Sequence, residues 1–118
     1  MSKVGIVVLA DVESHGDLGR VVNALMTAKE FKEAGDEVEI VFDGAGTQWP
    51  GVLSDEKHRA HRLYDDVADM VSGACGYCAH AFDAEAGARN AGVKLLDEFH
   101  GHPSIRGMVN RGFQIITF

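Results

Sequence analysis

Apolar residues occur along the chain either in short continuous runs or at helical spacing. The run over residues 3–9 is rich in β-branched residues, which is typical of a strand covered on both faces in a parallel sheet. Over residues 18–34 the apolar positions recur every three or four residues, with Asp17 as candidate N-cap and Gly35 as a C-terminal stop. Glu37–Phe42 is a second strand-like run. Strand, helix and strand in this order predict a right-handed βαβ unit.

The rest of the chain continues the alternation. The predicted elements are, in order, a loop over 43–52, a helix from Ser54 to about residue 71, a helix over 79–91, a strand over 93–96, a short helix over 103–110 and a strand over 113–118. Residues 74 and 75 form a segment too short to assign. The pattern predicts one α/β domain over residues 1–118, a three-layer sandwich with about five mostly parallel strands. Ligand sites in such sheets lie beyond the carboxyl ends of the strands, so we expect the loops 10–17, 43–52 and around Cys75 to meet there.

Composition and charge narrow the classes of partner. The chain has 118 residues with a formal net charge of −7, which disfavours binding to nucleic acid or to an anionic membrane surface. No apolar stretch is long enough to span a bilayer. The apolar start superficially resembles a signal peptide, but Asp11, Glu13 and Asp17 follow at once, so we expect a buried strand in a cytoplasmic protein.

Two cysteines give the most informative motif. Residues 74–80 read Ala-Cys-Gly-Tyr-Cys-Ala-His. Cys75 and Cys78 are too close in sequence to close a long stabilising loop, so any role they have is chemical. A cysteine between a strand end and a helix start meets free N–H groups and the positive helix end, which favour the thiolate. Gly76 would let the backbone approach a sulfur or a small substrate closely. The alternative is two small buried apolar residues.

Two other chemistries use the same motif. The spacing matches a thioredoxin-like pair, although that motif would follow the first strand of its unit. Zinc is a further alternative, because Cys75, Cys78 and His80 give Cys-x-x-Cys-x-His and a fourth ligand could come from His100 or His102. A second Cys-x-x-Cys is absent, and we interpret the two later histidines as a solvated turn before Pro103.

Other conspicuous residues have plainer interpretations. Trp49 in a polar loop predicts a lid over the site or part of a subunit contact. His15 follows the first strand and could approach the site. His58 and His61 are interpreted as a solvated helix face. The glycines at 44 and 46 lack the spacing of a dinucleotide fingerprint, so we interpret them as a turn that folds Trp49 back.

The order of features over nearly the whole chain resembles the DsrE/DsrF-like family of small sulfur-handling proteins. The features are an apolar first strand from Val4 to Leu9, Ala-x-x-Phe-x-x-Ala-Gly over 28–35, Val-Glu-Ile-Val-Phe-Asp-Gly over 38–44, Cys-x-x-Cys-Ala from Cys75, Gly-His-Pro-Ser over 101–104, and Gly-Phe-Gln-Ile-Ile-Thr-Phe over 112–118. The resemblance implies a flavodoxin-like fold and a homo-oligomer, commonly a trimer or hexamer. It also implies a persulfide on Cys75 that passes between a protein donor and a protein acceptor. Cys78 is an addition to the one-cysteine pattern of the sulfur-relay members.

These observations lead to one hypothesis and two alternatives. The hypothesis is a sulfur carrier or sulfurtransferase without a cofactor, in which Cys75 accepts the sulfur, Cys78 is the resolving thiol and His80 favours the thiolate. The first alternative is a non-catalytic oligomeric binding module with buried cysteines. The second is a metal-binding protein that uses the two cysteines and a histidine.

Overall fold

A computed structural model describes residues 1–118. The strands and α-helices are, in chain order, β1 (Lys3–Val8), α1 (His15–Glu33), β2 (Glu37–Phe42), α2 (Trp49–Leu53), α3 (His61–Val67), β3 (Val71–Cys75), α4 (Gly76–Ala81), α5 (Glu85–Asn90), β4 (Leu95–Leu96), α6 (Ile105–Asn110) and β5 (Gln114–Thr117). Two 3₁₀ helices, Gly44–Gln48 and Ala68–Met70, precede α2 and β3. No helix is both long enough and apolar enough to cross a membrane.

The five strands form one sheet in the order β4-β3-β2-β1-β5, and every neighbouring pair is parallel. Helices flank this sheet, so the predicted three-layer α/β sandwich is confirmed. Parallel pairing requires a crossover between consecutive strands, and the helices supply it. Each strand therefore ends at the same edge of the sheet, and the loops that follow β2, β3 and β4 lie side by side.

The main core lies where α1 covers the central strands. Its members are apolar and almost fully buried, and they include Val4, Ile6, Val8, Val21, Ala24, Leu25, Ala28, Ile40 and Phe42. The apolar positions of β1 and β2 are buried because both strands are covered by helices on their two faces. The predicted first strand and the predicted stop of α1 at Gly35, which has a φ of 83°, are confirmed.

Helix α1 begins earlier than its pattern predicts. Ser14 is the N-cap, and its Oγ accepts the backbone N–H of Asp17 at 3.1 Å. The prediction of Asp17 as the N-cap is therefore wrong. The polar residues 15–17 form the exposed or half-buried first turn, which carries no apolar periodicity, so the start of the helix is invisible to that signal.

The predicted helix from Ser54 to about residue 71 is wrong at both ends. The α-helical part, α3, covers only His61–Val67, and the residues from Val71 onward form β3. Gly73 explains why this strand is hidden in the sequence. A Cβ at Gly73 would lie 2.5 Å from the carbonyl oxygen of Lys94, so close packing of β3 against the segment that enters β4 requires a residue without strand propensity.

Three further boundaries differ from the prediction. The predicted loop 43–52 is mostly helical, since it contains the first 3₁₀ helix and α2. The predicted helix 79–91 divides into α4 and α5 at Asp83, whose φ of 55° interrupts the helical backbone. Pro103 precedes α6, and Ser104 caps the helix by accepting the N–H of Gly107 at 3.0 Å.

Candidate functional site

The pairing register of β2 and β3 brings the first two residues of the site together. Phe42 of β2 lies opposite Ala74 of β3, so the next residues, Asp43 and Cys75, stand side by side at the carboxyl edge of the sheet. The Oδ1 atom of Asp43 accepts the backbone N–H of Gly44 at 2.8 Å, which holds the carboxylate at the start of the first 3₁₀ helix. Pairing between strands thus joins a carboxylate and a thiol from distant parts of the chain.

Cys75 is both the last residue of β3 and the N-cap of α4. Its Sγ accepts the backbone N–H of Cys78 at 3.3 Å, as a capping side chain does. Cys75 is fully buried and Cys78 is half-buried, and both are free thiols. The two-residue spacing therefore places Cys78 in the first turn of the helix that Cys75 caps.

His102 approaches from a tight turn after β4. Phe99 and His102 form an isolated antiparallel bridge, with backbone hydrogen bonds of 2.8 and 2.9 Å. Between them, His100 and Gly101 have φ values of 50° and 87°, which reverse the chain. The N–H of Tyr77 donates to the Gly101 carbonyl at 2.9 Å and fastens this turn to α4.

The turn directs the His102 ring at the buried thiol. Nδ1 of His102 lies 3.2 Å from Sγ of Cys75, within hydrogen-bond distance for sulfur. The ring of Tyr77 stacks on that of His102 with 4.7 Å between centroids and 33° between planes. A nucleophile, a base in contact with it and a group that orients the base are the components of an activated thiol.

Four side chains converge here: Asp43, Cys75, Cys78 and His102. Their sulfur, nitrogen and oxygen donor atoms all lie within 4.8 Å of one another. They come from the end of β2, the end of β3, the first turn of α4 and the turn after β4, so the cluster exists only in the folded chain. The arrangement can exchange protons between a thiol and an imidazole, and its donor types are those that ligate transition metals.

The pKa of Cys75 is shifted in the direction opposite to the one expected from the sequence. Burial raises the pKa of the Cys75 thiol to about 12, and the nearby carboxylate of Asp43 acts in the same direction. The N–H of Cys78 opposes this shift but does not overcome it. The expectation that this position favours the thiolate is therefore wrong. Helix α4 has only six residues, and the backbone N–H contact is a smaller effect than desolvation.

Gly76 is needed for packing of the chain against itself. A Cβ at Gly76 would lie 3.2 Å from the carbonyl oxygen of Leu96 and 3.5 Å from that of Gly101. We expected a sulfur or a small substrate to lie close to the backbone of Gly76. In the structure β4 and the turn after it occupy that place.

Two expected neighbours of the site, His80 and His15, lie elsewhere. His80 is exposed, and its Nδ1 lies 2.8 Å from Oε1 of Glu85, so its ring does not face Cys75. His15 is exposed at the start of α1 and lines a surface depression with Trp49 and His58 that does not include the cysteines.

The prediction that Trp49 forms a lid or a subunit contact is wrong, because its side chain is buried. It is 2% exposed, and its Nε1 donates to the carbonyl oxygen of Ala10 at 2.9 Å. The glycine-containing turn before Trp49 folds the chain back, as predicted, but it places the ring in the core. A large aromatic residue with a satisfied N–H is stable in a core, and the polarity of its sequence neighbours concealed this.

The remaining histidines have structural contacts. His58 accepts the N–H of Ala60 on its Nδ1 at 3.0 Å and lies edge-on to Trp49. His61 places its Nδ1 2.7 Å from the carbonyl oxygen of Leu53. They are half-buried, so their interpretation as a solvated face is wrong.

The sequence patterns led to no expectation of Asp43 in the cluster, and they offered His102 only as one of two possible fourth zinc ligands. Asp43 was assigned only to a loop, and His102 was interpreted as part of a solvated turn. The available signals were the acidic residue directly after an apolar strand and the histidine next to Gly101. Neither signal specifies a contact with Cys75, because each depends on how distant strands pair.

Comparisons with known proteins place the chain in a family. The uncharacterized protein MJ0733 of Methanocaldococcus jannaschii is 30% identical over 96 residues, which cover 81% of this chain and 78% of that protein. The chain therefore belongs to the same family as this archaeal protein. A conserved protein of unknown function from Bacteroides thetaiotaomicron, BT1422, has a similar structure with a TM-score of 0.60, 16% identity and coverage of 97% of this chain and 94% of that one. This likeness shows a shared fold. No family model matches the chain.

Proposed function

We propose that this protein is a DsrE-like sulfur carrier that holds a sulfane sulfur as a persulfide on Cys75. The observation that carries the proposal is the 3.2 Å contact between Sγ of Cys75 and Nδ1 of His102, with the Cys78 thiol in the same cluster. A cysteine buried only for packing would not require an imidazole and a second thiol beside it. The ordered sequence resemblance to DsrE-like proteins supports the same assignment.

Loading of sulfur begins with removal of the Cys75 proton. Because burial keeps this thiol neutral, His102 must accept the proton locally as the sulfur reacts. The Cys75 thiolate attacks the terminal sulfur of a donor persulfide, and the bond between the two donor sulfurs breaks. The donor leaves as a thiol with the proton returned from His102, and Cys75 becomes Cys75–S–SH. The reaction exchanges one sulfur–sulfur bond for another and needs no oxidant.

The persulfide then has two fates. The thiol of an acceptor protein can attack its terminal sulfur and restore the Cys75 thiol. Alternatively, Cys78 attacks the inner sulfur, forms a Cys75–Cys78 disulfide and releases sulfide. In the second reaction the two cysteines lose two electrons, and the sulfane sulfur gains them. Cys78 is therefore the resolving thiol, and its half-buried position is accessible to a reductant that later reopens the disulfide.

Burial of Cys75 determines how donors reach it. The turn containing Gly101 and His102 covers the sulfur, and Tyr77 lies against the turn with 62% of its surface exposed. Sulfur transfer thus requires displacement of this turn, by its own motion for a small donor or on docking of a partner protein. The same cover protects the persulfide from solvent between donor and acceptor.

The proposal includes assembly and location. We propose a cytoplasmic homo-oligomer, a trimer or hexamer, as in the DsrE-like proteins that the sequence resembles. Phe82, which follows α4, is 43% exposed and supports a contact between copies near the site. Size-exclusion chromatography with light scattering measures the assembly, and a monomer at all concentrations would contradict it.

Intact-mass spectrometry tests the sulfur chemistry. The reduced, full-length protein is incubated with a low-molecular-weight persulfide, and its mass is recorded before and after addition of a reductant. We expect a gain of about one sulfur atom that the reductant removes. Cys75→Ser should show no gain, whereas Cys78→Ser should accumulate the persulfide because it lacks the resolving thiol. Equal loading of the native protein and Cys75→Ser would overturn the proposal.

A further inference from the structure

The sulfur chemistry leaves Asp43 without a role. Its carboxylate lies in the same cluster as both thiols. A carboxylate repels a neighbouring thiolate, so Asp43 does not assist Cys75 as a nucleophile. The same carboxylate would be favourable next to a cation.

The donor set has the composition of a transition-metal site. It offers two sulfurs, one imidazole nitrogen and one carboxylate oxygen, which are the three ligand types that zinc takes in proteins. Thiolate ligands favour zinc and other soft or borderline ions over magnesium or calcium. Four protein ligands match the tetrahedral coordination of closed zinc sites.

The spacing of the donors is close to what a tetrahedron needs. With the usual zinc–sulfur and zinc–nitrogen bond lengths, neighbouring ligand atoms are about 3.5–3.8 Å apart. Nδ1 of His102 and Sγ of Cys75 are 3.2 Å apart, and no pair in the cluster exceeds 4.8 Å. Side-chain adjustments of about 1 Å or less would therefore enclose one ion.

The supporting contacts keep the donors in place. The carboxylate of Asp43 is fixed by the N–H of Gly44, and the His102 ring is held by stacking on Tyr77. Groups that orient metal ligands in this way commonly affect metal affinity as much as tenfold to a hundredfold. His80 and His100 lie outside the cluster, which distinguishes this site from the Cys-x-x-Cys-x-His arrangement in the sequence.

We propose that Asp43, Cys75, Cys78 and His102 bind one divalent transition-metal ion, with zinc as the ion that suits the donor set. Binding releases the two thiol protons to solvent and leaves the imidazole neutral. Three anionic ligands and one divalent ion give a site with a net charge of −1. The metal site does not rest on the sulfur chemistry, although both use Cys75 and Cys78.

Cobalt(II) is the probe for the test, because it reports its ligands optically. The full-length protein is reduced, freed of metal with a chelator and titrated with Co²⁺ without oxygen. We expect one Co²⁺ per chain, an intense near-ultraviolet band from thiolate ligands and visible bands of tetrahedral Co²⁺. Zn²⁺ should displace the cobalt stoichiometrically and abolish these bands.

Conservative variants identify the ligands. Asp43→Asn keeps the capping oxygen but loses the charge, and it should weaken Co²⁺ binding at least about tenfold. Cys78→Ser should lower the intensity of the thiolate band by about half. His80→Ala is the matched control, since it removes an exposed histidine from the same helix and should change nothing. Circular dichroism of each variant shows whether it is folded.

The outcomes separate this inference from the proposed function. The metal site would be overturned if no cobalt bands appear or if the bands are those of octahedral Co²⁺. It would also be overturned if neither Asp43→Asn nor Cys78→Ser changes the bands. Sulfur loading in that case leaves the carrier proposal intact. Tetrahedral thiolate bands in a protein that never gains sulfur would support the metal site and overturn the carrier.

Discussion

The Nδ1 atom of His102 lies 3.2 Å from the Sγ atom of Cys75, although 27 residues separate them in the chain. The contact depends on β3, which ends at Cys75, and on the reversed turn after β4, which returns His102 over the strand end. It joins the only buried cysteine to a base. Both proposals depend on this pair, and the sulfur proposal gives the first prediction.

Replacing His102 by phenylalanine should slow persulfide formation about 100-fold, the lower end of general-base contributions. Phenylalanine keeps an aromatic ring against Tyr77 but removes the nitrogen that accepts the Cys75 proton. The measurement is the time course of sulfur gain by mass spectrometry. His80→Phe is the control and should load at the native rate, since His80 is exposed and pairs with Glu85. An unchanged rate in His102→Phe would show that no base acts at this position.

The two thiols of the metal-free, reduced protein should differ in reactivity. Iodoacetamide at pH 8 should label Cys78 at least about tenfold faster than Cys75, because labelling requires an accessible thiolate. Burial raises the pKa of Cys75 to about 12, so its labelling should increase as the pH approaches that value. Peptide mapping after a timed reaction measures both sites. In denaturant the two rates should converge, and faster labelling of Cys75 in the native protein would contradict the structure.

The ion pair between Glu39 and Arg111 should make stability depend on pH below 4.5. Two hydrogen bonds, of 2.6 and 3.2 Å, join the guanidinium to the carboxylate and lower the pKa of Glu39 from its usual value of 4.5. A lowered pKa in the folded state means that the stabilisation is complete above pH 4.5 and is lost as pH falls through the folded value.

Glu39→Gln should therefore be less stable than the native protein at pH 7, by about 0.5–1 kcal/mol for a partly exposed pair. The difference should disappear in strongly acidic solution. Urea denaturation at several pH values measures it. A constant difference across the whole range would mean that packing, and not charge, determines the effect.

Gly46→Ala should destabilise the fold by about 3 kcal/mol, a typical cost of overpacking a tight contact. A Cβ at Gly46 would lie 2.1 Å from the carbonyl oxygen of Val8, which is backbone and cannot rotate away. Gly19→Ala is the matched control, because nothing lies within 4 Å of that Cβ. In the exposed interior of α1 this change should stabilise the protein by up to about 1 kcal/mol. Thermal unfolding of both variants measures the contrast.

An element of this fold could be predicted where residues close in sequence determine its conformation. Local sequence patterns are sufficient to identify the apolar strands β1 and β2 and the amphipathic helix α1. The parallel α/β sandwich can therefore be predicted from the sequence. Strand β3 contains Gly73, and glycine has low strand propensity. Its conformation is selected by pairing with β2 and by the close approach of the Lys94 carbonyl, and neither partner is near in sequence.

The candidate site divides in the same way. The sequence by itself predicted that the segment around Cys75 and Cys78 lies at the ligand-binding edge of a parallel sheet, because the spacing of the cysteines and the alternation of elements are local facts. Only the tertiary structure decided that Asp43 and His102 complete the cluster, while His80 and Trp49 lie outside it. It also decided that Cys75 is buried, which raises the pKa of its thiol. The physical reason is that strand register and burial set distances and dielectric surroundings, and both depend on residues far apart in the chain.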